Sequence, residues 1–208
     1  VKQGSTTIGL VCSDGVVLVA EKKLPNKLII PESVDKIYQI DEHIASSFAG
    51  ITSDARILVE RSQVKAQQHK MTYETPVDVI TVVKDISDLK QYTTQSGGLR
   101  PFGVALLIAG IDLDGPKLFM TDPTGIYFRY KAVAIGMNDA KVEEILEKEY
   151  KDKLTCEEGT KVAIKALKKV SDDGITPSNI DAVMIKTEEK KYRKVDEKTL
   201  ASYVDEGK

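Results

Sequence analysis

The chain has 208 residues, 41% hydrophobic and 30% charged, an ordinary globular balance for one large domain that can bury a core without disulfides or metals. Thirty Lys and Arg against 32 Asp and Glu leave a formal charge of -2, so no excess positive field is present to hold nucleic acid by counterion release. No stretch approaches the roughly 20 apolar residues needed to cross a bilayer, and the first residues lack a signal-peptide pattern, which points to a cytoplasmic protein with no membrane partner.

The chain opens with short runs rich in Val, Ile and Thr: Thr6 to Cys12, Val16 to Glu21, Lys27 to Ile30, Lys36 to Ile40 and Ile44 to Ala49. They are separated by Ser13-Asp14-Gly15, Leu24-Pro25-Asn26, Pro31-Glu32-Ser33 and Asp41-Glu42, all of them turn chemistry, so consecutive antiparallel strands are predicted. The period then changes. Thr52-Ser53-Asp54 offers caps for a helix with Ala55, Leu58, Val59, Ser62 and Ala66 along one stripe. Thr75-Pro76 is read as opening a second helix, with Val79, Val82, Val83, Ile86 and Leu89 on its apolar face.

Strands are predicted again from Gly103 to Ile111, Lys117 to Thr121 and Ile126 to Ile135, with turns at Asp114-Gly115-Pro116 and Asp122-Pro123-Thr124-Gly125. A third helix carries Val142, Ile145 and Leu146. A fourth starts at the capping box Thr155-Cys156-Glu157-Glu158, carries Val162, Ala163, Ala166, Leu167 and Val170, and is read as stopping near Gly174. Strands Ile180 to Thr187 and Lys191 to Val195 and a short helix from Glu197 to Val204 complete the pattern. Face-to-face sheets with helix pairs outside would bury every apolar stripe, an α+β arrangement in four layers, αββα, although other α+β arrangements fit the same pattern. With no repeat and no long linker, residues 1–208 read as a single domain.

Cys12 and Cys156 sit in apolar segments without zinc-ligand spacing, so buried reduced thiols are expected and no metal or cofactor. His43 and His69 are read as far apart, with structural or solvent-facing roles.

Segments from one end of the chain to the other resemble the archaeal-like α-type subunits of the proteasome core particle. They are Val1 to Gly9, Asp14 to Leu18, Asp35-Lys36-Ile37, Asp54-Ala55-Arg56, Gly98 to Val104, Asp122 to Gly125 and Ala134-Ile135-Gly136. The resemblance implies a four-layer αββα sandwich of the N-terminal nucleophile hydrolase type. It also implies assembly with other α-type subunits into a seven-membered ring stacked on β-type subunits. Such a ring admits unfolded polypeptide and docks a regulatory ATPase or other activator. Arg100-Pro101-Phe102-Gly103 favours the α type over the β type. In that family a helix and the gate precede the segment that begins here with Val1, and a ring whose gate had been removed is expected to stand open.

An active β-type subunit needs a hydroxyl on the first residue of the mature chain, because the freed α-amino group is its base. The resemblance aligns Ser5, behind Gly4, with that hydroxyl, and Glu21, Lys36 and Asp173 with groups that assist it. Met137 and Thr176-Pro177-Ser178 stand where the family's supporting serines belong, and Met137 lacks a useful donor or acceptor. No catalytic residue is therefore assigned. A β-like protease using Ser5 after cleavage behind Gly4 is the alternative. For Lys36 the resemblance implies a pocket between adjacent subunits, shaped by Gly4, Gly50 and Ile51, in which a lysine ammonium meets the terminal carboxylate of an activator.

Overall fold

The computed structural model describes residues 1–23, 26, 28–30, 33–171 and 174–206, Glu206 by its backbone alone. In one five-stranded antiparallel sheet, Thr7–Cys12 (β1) pairs with Gly15–Glu21 (β2) on one side and Ala132–Ile135 (β8) on the other; beyond β2 lie Ile180–Lys186 (β9) and Tyr192–Lys194 (β10). The second five-stranded antiparallel sheet runs in chain order through Ile37–Asp41 (β3), Ile44–Gly50 (β4), Val104–Asp112 (β5), Gly115–Thr121 (β6) and Tyr127–Arg129 (β7).

Strand alternation distributes the apolar side chains among three layers. Along β2, Val16, Leu18 and Ala20 face the space between the sheets, whereas Val17 and Val19 face outward. Along β5, Ala105, Leu107, Ala109 and Ile111 join the same inner layer, and Val104, Leu106 and Ile108 turn the other way. The outward face of the first sheet is covered by Asp139–Glu149 (α3), Cys156–Val170 (α4) and Glu197–Glu206 (α5). The second sheet is covered by Thr52–Tyr73 (α1) and Val79–Gln95 (α2). The result is the expected four-layer αββα order.

Local chemistry sets the helix boundaries. Thr155 caps α4 through a reciprocal box, its hydroxyl accepting the Glu158 N–H while the Glu158 carboxylate takes the Thr155 N–H. That helix ends at Val170, before Gly174, because the Ser171 N–H closes the last turn on the Leu167 carbonyl. α2 begins at Val79 and not at Pro76: proline disfavours helical geometry before it, Val77 is pinned by His43 Nε2 on its carbonyl at 2.8 Å, and Asp112 accepts the Val79 N–H at 2.9 Å. Lys90, on the buried face of α2, is wholly enclosed and donates to the carbonyls of Val104 at 3.0 Å and Thr121 at 3.3 Å.

Two predicted strands differ. Ile126 to Ile135 is two strands in different sheets: the Tyr130 N–H still bonds Leu118 O in one sheet while Lys131 O accepts from Val11 in the other. From Leu28 to Ile30 the backbone turns, since the Asn26 side chain accepts the Leu28 N–H at 3.0 Å, a local bond that competes with strand pairing. Lys27, the turn residues Leu24, Pro25, Pro31 and Glu32, and Asp173 lie outside the described residues. Cys12 and Cys156 are buried and free, as expected.

His43 and His69, far apart in the chain, line one cavity of about 510 Å³ because the β3–β4 turn meets the end of α1. His43 is structural there, and His69 packs on the Tyr73 ring. Among the described residues no group of three His, Cys, Asp or Glu could hold a metal, and no helix is long and apolar enough to cross a membrane.

Candidate functional site

Antiparallel pairing gathers the residues singled out in the sequence at one end of the sandwich. The start of β1, the end of β2 and the end of β8 meet there, since Thr7 lies opposite both Ala20 and Ile135. The end of β4 and the start of β5 meet through Gly50 and Val104, with Ile37 opposite Ser47 beside them. Lys36 immediately precedes β3 and its side chain meets Phe48 of β4 at this end of the sandwich.

Lys36 is buried. Its ammonium donates to the Phe48 carbonyl at 3.2 Å and lies 4.0 Å above the centre of the Phe48 ring, where the π face attracts a cation. Its backbone is tied on both sides: Asp181 accepts its N–H at 3.3 Å and the Ser47 hydroxyl donates to its carbonyl at 2.7 Å. Burial pulls the Lys36 ammonium down to about 8, with the negative charge of Glu21 opposing.

Gly4 and Gly50 are in direct backbone contact. A Cβ on Gly4 would lie 2.5 Å from the Gly50 nitrogen, and Gly50 itself has φ +130° with the Gly103 carbonyl where its own Cβ would point, so neither position accepts a side chain. Ile51 follows with its side chain 46% exposed and its N–H bonded to Gly103 O at 3.1 Å. The Gly103 loop is in turn fixed by Asp54 in the first turn of α1. That carboxylate is buried, takes both Arg100 terminal nitrogens at 2.7 and 2.8 Å, and accepts the Gly103 N–H at 2.8 Å. Arg100 holds the Asp54 carboxyl below its usual range. The motifs around Asp54 and Arg100, 46 residues apart, are thus one clamp that sets the position of Ile51.

The groups of the hydrolase reading are arranged differently from what that chemistry needs. Ser5 is buried. The Gly4 carbonyl accepts the Met137 N–H at 2.8 Å, and the Thr6 hydroxyl donates to the Met137 carbonyl. Glu21 accepts from Ser171 at 2.8 Å. The Ser178 hydroxyl pairs locally with Thr176 at 3.1 Å, within a short 3₁₀ turn over Pro177–Asn179.

Asp181 escaped the sequence reading. Almost fully buried on β9, it accepts from Lys22 at 3.0 Å and Lys194 at 3.3 Å besides the Lys36 N–H, and so holds the Lys36 segment against the first sheet. Its signal was an aspartate inside the apolar run Ile180 to Ile185.

The family model described as proteasome subunit matches residues 1–185. The chain belongs to the proteasome subunit family. Its sandwich is accordingly of the N-terminal nucleophile hydrolase type. A proteasome subunit alpha of Thermococcus sibiricus is 47% identical over 206 residues, covering 99% of this chain and 78% of that protein. The proteasome subunit alpha of Methanocaldococcus jannaschii is 45% identical over 195 residues, 94% of this chain and 74% of the relative. That of Methanopyrus kandleri is 44% identical over 213 residues, spanning the whole of this chain and 87% of the relative. Within the proteasome family this is an archaeal-like α-type chain, and the β-like reading built on Ser5 is not favoured.

Proposed function

We propose that this chain is a non-catalytic α-type subunit of a cytoplasmic proteasome core particle, folded as one domain over residues 1–208. It forms a seven-membered ring with other α-type subunits, stacked on β-type subunits that carry the threonine-protease chemistry, and the ring controls entry of unfolded polypeptide. The observation that carries the non-catalytic reading is the use of the Met137 backbone. Its N–H and carbonyl anchor Gly4 and Thr6 where a hydrolase of this fold would need a side-chain hydroxyl beside the nucleophile. Mixing the chain with β-type partners should give a particle whose mass and symmetry match stacked seven-membered rings. Peptide hydrolysis by the isolated chain, abolished by Ser5→Ala, would refute it.

The same particle docks a regulatory ATPase or another activator through Lys36, Gly4, Gly50 and Ile51. Two glycines let the strand ends approach backbone to backbone beside Lys36, Ile51 supplies an exposed apolar wall, and Lys36 supplies the charge for a terminal carboxylate. Burial lowers its pKa to about 8, so the ammonium is still mostly charged at neutral pH, and docking should weaken as pH rises through about 8. Lys36→Ala should reduce activator affinity at least tenfold in rings that still assemble, the change expected for loss of a partly buried charge-assisted bond worth about 1.5–3 kcal/mol. Equal affinity in mutant and parent rings removes Lys36 from the pocket.

A further inference from the structure

Cys12 closes β1 and Cys156 opens α4, and both thiols are buried. The backbones that carry them are stitched together: the Ser13 N–H bonds Leu154 O at 2.8 Å, and the Cys156 N–H bonds the Asp14 carboxylate at 2.7 Å. Cys12 lies directly across the hairpin from Gly15. A Cβ on Gly15 would come within 2.9 Å of the Cys156 sulfur, so that sulfur occupies the space above the strand partner of Cys12. Reciprocally, a Cβ on Gly159, one helical turn after Cys156, would come within 2.8 Å of the Cys12 sulfur. Each sulfur therefore fills the space left by a glycine next to the other cysteine. The neighbouring Cys12 thiol, together with burial, pushes the Cys156 thiol well above its ordinary range.

We propose that Cys12 and Cys156 are a modification site, a dithiol that a small peroxide closes to an intramolecular disulfide. The Cys12 sulfur, deprotonated as it reacts, attacks hydrogen peroxide to give a sulfenic acid and one water, while Cys156, whose thiol is held protonated, is the resolving partner. The second displaces the hydroxyl from that sulfur, forming the S–S bond and releasing a second water, so two electrons and two protons pass from the dithiol to the peroxide. Burial restricts the reaction to small oxidants and keeps the sulfenic acid from larger external thiols. The bond would tie the β1–β2 hairpin to the start of α4 and close most of the chain into a loop, which constrains the unfolded state.

The test uses assembled particles treated with hydrogen peroxide, unfolded in an alkylating reagent and weighed intact. The expected subunit is 2 Da lighter than the reduced chain, on the balance of the reaction above, with both cysteines protected from alkylation and joined in one peptide pair after digestion. Its thermal midpoint should rise by roughly 5–15 °C and fall back on reduction. Cys12→Ala and Cys156→Ala should each lose the rise; because both are core residues, the mass measurement on the parent decides the matter if a variant fails to fold. Both thiols alkylated after peroxide treatment, oxygen added at one cysteine without cross-linking, or a disulfide only between separate chains would each overturn the proposal.

Discussion

Lys90 gives the most quantitative test of how this fold is held together. Its ammonium is fully enclosed between α2 and the ends of β5 and β6, with two carbonyls as acceptors. Burial lowers its pKa to about 7 from an ordinary 10.5, with Asp122 opposing. The unfolded chain therefore binds more protons than the native one between pH 7 and 10.5, and native stability should rise with pH across that window. For one such lysine the linkage gives a gain of about 2 kcal/mol between pH 7 and pH 9. In a domain of this size that is roughly 4–8 °C in thermal midpoint. Lys90→Met keeps an unbranched chain of similar length and removes the proton, so the gain assigned to Lys90 should vanish. Lys36, lowered to about 8, contributes in the same direction but is present in both proteins and cancels in the comparison. Urea unfolding of parent and Lys90→Met at the two pH values measures the difference. Curves that gain equally from pH 7 to pH 9 would mean that Lys90 keeps its proton in the core as readily as in water, and the argument from its burial would fail.

Removing the Asp54 carboxylate should also be costly. Asp54→Ala orphans the Gly103 N–H and releases Arg100, and a loss of about 1–3 kcal/mol, read from urea unfolding, is expected from the unsatisfied amide alone. Because Arg100 holds this carboxyl below its ordinary range, its contribution is present at neutral pH and disappears as pH falls through the native value. The parent should therefore lose stability in acid more steeply than Asp54→Ala. Thr155→Ala removes the hydroxyl that accepts the Glu158 N–H and should lower stability by about 1 kcal/mol, with Thr155→Ser close to the parent by thermal melting.

The layers were readable because the apolar period is unambiguous where a strand is covered on both sides, as in the run from Val104 to Ile111, or where a helix has a single stripe, as in Ala55 to Ala66. The boundaries that moved did so for tertiary reasons that no local pattern carries. α2 starts late because its first N–H finds Asp112, a residue 33 positions away, and the run from Ile126 to Ile135 divides because its two halves pair with different sheets. At the site, Gly4 and Gly50 meet backbone to backbone with Ile51 next in the chain, a grouping that the sequence suggested only through the family resemblance. The Lys36 ammonium turned inward onto Phe48, the anchoring by the Met137 backbone and the ion pairs of Asp181 were hidden. Each depends on which strand ends meet, and a main-chain donor or acceptor leaves no trace in residue identity.

The way the two sheets draw on the chain bears on how the protein is made. Everything from Ile37 to Arg129 that builds the second sheet is contiguous, so this half can pair strand by strand as it leaves the ribosome. The first sheet cannot: β2 waits for β9, which is synthesised roughly 160 residues later, and that register joins Gly15 to Lys186. Until then β1, β2 and β8 can lie over the inner face of the finished half, but the edge of β2 has no partner. A nascent chain halted before Ile180 would present that edge to chaperones or to other nascent copies, and the assembly partner of such an intermediate is as much a matter of synthesis rate as of affinity.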